Sequence, residues 1–507
     1  MILKIDGNIN KYYAQMLCMV FFPGSTFGEN ETSGEGIPEV TVSVSDEGGE
    51  SVSAYVSMKL NDKVCEATET VSRAEEVKIA THEAIAVGRA MFTAGRELLG
   101  HIPPWGILTG IRPAKIARKL LLLGNGVIRS KRILRDEYFL NSQKAALAVT
   151  VAQNEIKVLK RAPKNACSIY ISIPFCPSRC SYCSFVSYTS KKLLSLIEPY
   201  VEALCDDLDR LFDTIEKVGL SVATIYIGGG TPTTLSCEQL ERIFKKISER
   251  IDTSSLLEFS LEAGRPDTIT AEKLAVAKSY GVTRVSVNPQ SLSDRILCEI
   301  GRKHSVEDFY RAYAIAKESG IRDINVDLIA GLPGDDFKNF SETVERIIEL
   351  DPSNITVHTF CVKKASDALK NNSNIYSVTG GDAAKCVSYS QLNTKVAGYK
   401  PYYMYRQKNT VGNLENVGFS KEGHEGLYNV YMMEEVQTIF AVGAGAVTKL
   451  VHMDPLSDEE GKIVRIFSPK YPYEYLADYK LRKAGESKKK TVFDQTLEFY
   501  SRYRKEN

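Results

Sequence analysis

Several features that would assign a chain to a class at once are missing here. The 507 residues carry a formal net charge of +1, so no electrostatic argument favours nucleic acid or a membrane surface as a partner. No window approaches the roughly 18 consecutive apolar residues that a membrane-spanning helix needs. Residues 1–6 lack the basic-then-apolar layout of a secretory signal. The composition, 43% hydrophobic and 25% charged, is that of a globular protein.

Cysteine usage gives no sign of a disulfide framework. The chain has eleven cysteines, an odd number, and apart from one group of three they are scattered along the sequence. Such usage in a long chain is typical of a reducing compartment. We therefore expect the protein in the cytoplasm.

The group of three cysteines is the most informative stretch. Cys176, Cys180 and Cys183 form a C-x3-C-x2-C pattern in a loop that follows an apolar run at 167–173. Three thiolates can each bind one iron of a [4Fe–4S] cluster and leave the fourth iron open for a substrate. Structural zinc is the alternative, but it needs four closed ligands, and no second Cys or His pair with zinc spacing occurs. The spacing therefore favours a cluster with an open iron.

Apolar, β-branched runs alternate with helical patterns around and after this motif. We predict strands at 167–173, 222–227, 256–262, 282–287, 323–329 and 354–359, and helices at about 193–218, 236–250, 270–280, 305–319 and 338–350. This alternation is typical of right-handed βαβ units and a parallel sheet. A doubly wound sheet and an open (β/α) barrel both fit the pattern.

Polar residues fall at the C-terminal end of each predicted strand. In chain order they are the three cysteines, Gly228 to Pro232, Glu262, Asn288 with Gln290, Asn325 with Asp327, and His358. Barrel enzymes build their active sites at that end. We therefore predict an α/β fold with a partial (β/α)6 TIM-like barrel, an N-terminal α+β domain and a mostly helical C-terminal region. His358 taken alone is better explained as a structural histidine than as a ligand.

The expected domains are residues 1–165, a core at 166–370 and a substrate-covering region at 371–507. In the first domain we predict a strand at 51–60 and helices at about 73–99 and 141–161. In the last region we predict helices at 383–398 and 432–442, and a tail after residue 471 that covers the mouth of the barrel.

Isolated basic residues outside the core have two explanations each. Arg112 and Lys115 follow a turn-rich segment and either meet an anionic ligand or face solvent. Arg406, Lys408 and Lys449 either face an anionic substrate or are surface charges, and surface charge is the simpler explanation for each.

The motifs together resemble the radical S-adenosylmethionine (SAM) enzymes, in particular the oxygen-independent coproporphyrinogen III oxidase group. The resemblance is carried by Cys176 to Cys183, Gly228 to Pro232, Glu262, Gln290, Arg302 and Asp327. Longer stretches, at 106–113, 262–268 and 402–418, are similar to the HemZ branch, the coproporphyrinogen dehydrogenases.

This resemblance implies an oxidoreductase of porphyrin and haem biosynthesis. The open iron of the cluster would bind the amino and carboxylate groups of SAM, and an electron from a donor such as flavodoxin or ferredoxin would split its sulfonium C–S bond. The resulting radical would take a hydrogen from a propionate of coproporphyrinogen III, and two rounds would give protoporphyrinogen IX. By position, the residues that would hold SAM are Tyr170, Gly229, Gly230, Thr231, Glu262, Gln290, Arg302 and Asp327.

One position departs from the oxidase pattern. The oxidases carry a further Cys two residues after the third cluster ligand, where this chain has Phe185. In this feature the chain resembles the related haem-chaperone branch, although the His-Asn-x-x-Tyr-Trp segment of that branch is not evident near Met404 to Gly418. Decarboxylation of coproporphyrinogen, haem binding or trafficking, and radical chemistry on another substrate are therefore all open.

Overall fold

The computed structural model describes residues 1–28, 34–46, 49–74, 80–110, 112–183, 191–361, 381–407, 410–452, 462–487 and 490–503. Phe185, Lys408 and most of the polar segment at 363–382 lie outside these ranges. In the described ranges no helix has the length and apolar content needed to cross a bilayer.

In the part of the chain before residue 165 that the structure describes, there are a small sheet and five helices. The elements are β1 (Ile2–Asp6), α1 (Lys11–Phe21), β2 (Glu39–Ser45), β3 (Ser51–Leu60), β4 (Lys63–Ser72), α2 (His82–Leu99), α3 (Pro113–Leu122), α4 (Val127–Asp136) and α5 (Ser142–Lys160). The strands lie in the order β1-β2-β3-β4. The predicted strand at 51–60 is confirmed. The predicted helix at 73–99 begins too early, because β4 runs to Ser72 and Thr81 caps the helix start at His82.

The predicted alternation of strands and helices is confirmed in the core. It consists of β5 (Ala166–Ile173), α6 (Lys191–Leu194), α7 (Ile197–Lys217), β6 (Ser221–Gly229), α8 (Cys237–Ser248), β7 (Glu258–Glu262), α9 (Ala271–Ser279), β8 (Arg284–Ser286), α10 (Asp294–Glu299), α11 (Val306–Glu318), β9 (Asp323–Ala330), α12 (Phe337–Glu349) and β10 (Asn354–Thr359). These six strands are parallel and adjacent in chain order. A doubly wound sheet would reverse its strand order, so the barrel-like arrangement is the correct one.

The C-terminal residues extend this sheet at both edges. They form α13 (Gly381–Val396), β11 (Lys400–Arg406), β12 (Glu415–Ser420), α14 (Leu427–Glu434), β13 (Thr438–Val442), β14 (Val447–His452), β15 (Lys462–Phe467), α15 (Pro472–Lys483) and α16 (Val492–Tyr503). The resulting open sheet has the order β11-β12-β10-β9-β8-β7-β6-β5-β13-β14-β15. The predicted helix at 432–442 is wrong in its second half, because residues from Thr438 form a strand that pairs in parallel with β5.

The C-terminal tail is held on the helix α7. In α15, Tyr475 donates a hydrogen bond of 2.6 Å to Asp207 of α7, and Arg482 donates two, of 2.6 and 2.9 Å, to the same carboxylate. α16 also packs against α7. A buried carboxylate needs such partners, and this one anchors the tail. That the tail covers the mouth of the barrel stays a prediction.

A charged cluster fills the floor of the barrel. Arg284 at the start of β8 lies 3.2 Å from both Glu258 and Asp323, which start the neighbouring strands. All three side chains are buried, and Arg284 also donates to Asn354 of β10. The cluster ties four parallel strands together at their N-terminal ends, below the site described next.

Candidate active site

A cavity of about 490 Å³ opens at the C-terminal ends of the parallel strands. Its walls contain the three cysteines of the motif and most of the residues predicted to hold SAM, namely Gly229, Gly230, Thr231, Glu262, Gln290, Arg302 and Asp327. Residues that are more than 150 positions apart in the sequence therefore meet in one place. Their individual roles toward SAM stay predictions.

The cysteine loop is held by hydrogen bonds from three neighbouring segments. The backbone of Thr231 donates to Phe175 O (2.8 Å), and the Thr231 hydroxyl lies 3.3 Å from the sulfur of Cys176. Ser181 N donates to the carbonyl of residue 300 (3.0 Å), and Arg265 donates to Ser178 O (2.6 Å). The loop that carries the thiols is therefore ordered by the fold itself.

Gly230 must be glycine because the loop passes close to it. A Cβ atom at this position would lie 2.6 Å from Phe175 O and 3.0 Å from the sulfur of Cys176. Contacts shorter than 3.0 Å to backbone atoms force a shift of the chain. The glycine run predicted as a ligand cradle thus also brings β6 against the cysteine loop.

The donor set fits a cluster better than a single ion. In the part of the chain that the structure describes, no three Cys, His, Asp or Glu side chains converge on a point where one metal ion would bind. Zinc needs four ligands around one ion, whereas a [4Fe–4S] cluster needs one thiolate for each of three irons. The three thiols on one ordered loop meet the second requirement.

Glu262 ends β7 and faces the cavity. The Tyr226 hydroxyl donates a hydrogen bond to its carboxylate. Burial raises the pKa of Glu262 to about 7, and the charge of Asp327 adds to the rise, while the Tyr226 bond opposes it. Near neutral pH this carboxyl is therefore poised between its neutral and its ionised form.

Asp327 of β9 is ionised under the same conditions. Asn325 and Asn288 donate amide hydrogen bonds of 2.7 and 2.9 Å to its two oxygens, and the His358 ring lies 3.7 Å away. Burial opposes ionisation, but His358 and the hydrogen bonds hold the pKa of Asp327 below its ordinary value. The cavity thus contains two carboxyl groups that ionise over different pH ranges, and both can face a ligand with a cationic group and hydroxyls.

Arg302 and Gln290 provide unused hydrogen-bonding atoms. Arg302 donates to Gly264 O (3.0 Å) and Asn288 O (2.7 Å), and it pairs with neither Glu262 nor Asp327. Its Nε and the side-chain oxygen of Gln290 are buried without a partner among the described residues. Buried polar atoms rarely stay unsatisfied, so these two fit a polar ligand such as the methionine part of SAM.

Tyr170 is the one predicted SAM residue that does not line the cavity in the described structure. Its ring stacks on Tyr226 and Tyr428, with centroids 6.1 and 6.3 Å apart. Burial, with the nearby charge of Glu262, raises the pKa of the Tyr170 hydroxyl. A direct contact between Tyr170 and SAM stays a prediction.

The far half of the cavity consists of residues that the sequence did not single out. Tyr402, Tyr403 and Tyr405 come from β11, and Met432 and Met433 from α14. The tyrosines fall in a stretch used only for the family resemblance. The two methionines lie where no motif signals a site.

His358 joins the two halves of the cavity. Its Nδ1 lies 3.1 Å from the Tyr405 hydroxyl, and its Nε2 faces Asp327. The imidazole lines the cavity, so it is both structurally satisfied and available to a ligand.

Two basic residues for which the sequence allowed either a substrate contact or a surface position have structural roles. Arg406 is buried, donates to Leu108 O (2.6 Å) and lies 5.5 Å from the Trp105 ring centre, so its explanation as a surface charge is wrong. Lys449 donates to Met432 O at 3.0 Å. Neither side chain lines the cavity.

Comparison with known proteins agrees with this geometry. Residues 170–347 match the family model of the radical SAM superfamily. The chain is 38% identical over 375 residues to the oxygen-independent coproporphyrinogen-III oxidase-like protein HemZ of Bacillus subtilis, covering 73% of this chain and 74% of the relative. It is also 38% identical to the heme chaperone HemW of Bacillus subtilis, over 39% of this chain and 51% of the relative.

A solved structure supports the fold. The coproporphyrinogen III oxidase HemN from Escherichia coli, a radical SAM enzyme, superposes with a TM-score of 0.50 at 19% identity, covering 66% of this chain and 73% of that chain. The radical SAM superfamily uses a [4Fe–4S] cluster and SAM. The cluster agrees with the cysteine spacing, and SAM agrees with the family resemblance. The chain belongs to the radical SAM superfamily, within the oxygen-independent coproporphyrinogen-III oxidase-like group that includes HemZ.

Proposed function

We propose that this protein is a radical SAM oxidoreductase that converts propionates of coproporphyrinogen III to vinyl groups without oxygen, giving protoporphyrinogen IX. The observation that supports it best is a single cavity that joins the cysteine loop to a wall of three tyrosines and two methionines. A tetrapyrrole offers broad apolar faces with polar edges, which such a wall complements.

The chain's own residues would hold the cofactors and the substrate. When bound, the cluster and SAM would supply a hydrogen-abstracting radical. Cys176, Cys180 and Cys183 would bind three irons of the cluster. The unused atoms of Arg302 and Gln290 would receive the methionine part of SAM. The buried walls would keep water from the reacting carbon.

Each propionate would be converted in a separate round, and the atoms and electrons of one round balance as follows. With the cluster and SAM bound, the β-carbon of the propionate would lose a hydrogen atom to the deoxyadenosyl group that SAM supplies, and 5′-deoxyadenosine would be released. The side chain then loses CO₂ and one electron, and the carbon–carbon double bond of the vinyl group forms. An electron donor is needed to cleave SAM, and an acceptor is needed for the released electron.

The test is anaerobic turnover. Protein reconstituted with iron and sulfide is incubated with coproporphyrinogen III, SAM and dithionite, and products are identified by mass. We expect 5′-deoxyadenosine together with tetrapyrroles that have lost CO₂ and two hydrogens once and then twice. SAM cleavage with unchanged coproporphyrinogen would show that the substrate is a different molecule.

Haem binding is the second candidate. The similarity to a heme chaperone favours it, and the cavity is lined by His358, Cys361, Met432 and Met433, whose side chains are of the types that ligate haem iron. Tight binding of haem by the cluster-loaded protein, with no conversion of coproporphyrinogen, would favour this function over decarboxylation.

A further inference from the structure

Helix α14 carries side chains into the far half of the cavity. Asn429, Met432 and Met433 all line it. The helix has only eight residues, and isolated helices shorter than about 12 residues are marginal in water. Its position is therefore set by the packing of Val430 and Tyr431, which are buried in its middle, and by the contacts at its two ends.

The N-terminal end is held by the charged floor of the barrel. Glu258 accepts hydrogen bonds from Leu427 N (2.7 Å) and Tyr428 N (3.2 Å), two of the amides that a helix leaves free in its first turn. Arg284 fixes this carboxylate in turn. The Tyr428 ring packs on Tyr226, with centroids 4.6 Å apart.

The C-terminal end is held by two cations from distant parts of the chain. Arg112, just before α3, donates to Met433 O, and Lys449 of β14 donates to Met432 O at 3.0 Å. Both also face Glu435, at 3.0 and 3.6 Å. Cations bonded to the last carbonyls of a helix satisfy free acceptors and interact favourably with its dipole.

A second contact from α3 reinforces the first. Arg118 forms a buried ion pair with Glu434, the last residue of α14. Arg112 and Arg118 are six positions apart and both reach the same helix end. The segment around α3 therefore helps to hold one wall of the cavity, although none of the described residues before the cysteine motif lines it.

We propose that Arg112 is a positioning residue for substrate recognition, which fixes the last turn of α14 so that Met432 and Met433 form the tetrapyrrole-binding wall. This inference rests on the proposed tetrapyrrole substrate. It assigns the segment before α3 a role in substrate affinity, and it separates that role from SAM binding at the other end of the cavity.

The test compares Arg112→Met with Arg112→Lys in the full-length, cluster-loaded protein. Arg112→Met loses the hydrogen bond to Met433 O and the ion pair with Glu435. Glu435 keeps Lys449 and Arg465 as partners, so no buried charge is left alone. Arg112→Lys keeps a donor at the same end. The matched control is Arg135→Met on α4, whose side chain is 45% exposed.

We expect Arg112→Met to weaken binding of coproporphyrin III about tenfold, a change typical of one lost charged contact. SAM affinity should not change, Arg112→Lys should restore most of the loss, and Arg135→Met should match the wild type. Met433→Ala should weaken binding too, and the double variant should lose less than the two single effects combined, because both act on one wall. Faster amide exchange in α14 of Arg112→Met should accompany the loss.

Two results would overturn the inference. One is unchanged coproporphyrin III affinity in Arg112→Met, and the other is an equal loss of SAM affinity, which would indicate general loosening. Wild-type protein that binds coproporphyrin III but does not decarboxylate coproporphyrinogen would refute the proposed function and leave the positioning role standing. Wild-type protein that binds no tetrapyrrole would refute both.

Discussion

Replacement of Glu262 by Gln tests whether its carboxylate takes part in SAM binding. SAM carries a net positive charge, so it favours the ionised carboxylate over the neutral acid. With a pKa of about 7 in the free protein, Glu262 must lose a proton before SAM binds at lower pH. We therefore expect wild-type SAM affinity to fall as the pH decreases below 7.

The size of this effect follows from the pKa. If only the ionised form binds, the apparent dissociation constant of SAM rises roughly 15-fold between about pH 7 and about pH 5.5. Glu262→Gln has no proton to lose, so its affinity should be lower at pH 7 and should lack this component of the pH dependence. Equilibrium dialysis of cluster-loaded protein under argon measures both curves, and the variant corrects for titration of SAM itself.

Ionisation of Glu262 should have the opposite effect on folding stability: it favours SAM binding but destabilises the folded protein. The folded pKa lies above the ordinary value of 4.5, so ionisation costs the folded state stability as the pH rises from about 4.5 to about 7. The cost is at most about 3 kcal/mol, because the carboxyl reaches the cavity. Cofactor-free Glu262→Gln should thus unfold at higher denaturant concentration than wild type at pH 8, and at about the same concentration at pH 4. Parallel pH curves for SAM affinity in the two proteins would refute the reasoning.

The other predictions concern the cluster loop and the barrel floor. Cys180→Ala should abolish the visible absorbance of the reconstituted cluster, while Cys237→Ala on α8 should retain it; a cluster that survives the first change would refute the ligand assignment. Gly230→Ala should also reduce iron content, because the new Cβ would meet the backbone at 2.6 Å; iron content equal to wild type would contradict this. Arg284→Met should lower the free energy of unfolding by about 3 kcal/mol, because in the described structure it leaves the buried Glu258 without a cationic partner. Asp323 loses one partner but keeps Arg322. Exposed Arg295→Met should change the free energy of unfolding by under about 0.5 kcal/mol. Urea unfolding followed by circular dichroism measures both, and equal midpoints would refute the role of the floor cluster.

The sequence alone determined the core strands and the cysteine loop. Their signals are local: apolar β-branched runs, the spacing of the thiols, and polar residues at the strand ends. Because parallel strands place their C-terminal ends at one edge, the local pattern also brought Glu262 and Asp327 into the predicted site.

The tertiary structure alone decided the second wall of the cavity and the state of its charges. The run Thr438–Val442 is short and apolar, so its pattern does not separate strand from helix, and its pairing with β5 settles the matter. No local sequence pattern indicates that Arg112 donates a hydrogen bond to Met433, which is more than 300 residues away. The pKa of Glu262 likewise depends on its burial and on the nearby charge of Asp327. Both conditions exist only after folding has brought distant segments together and excluded water from the cavity.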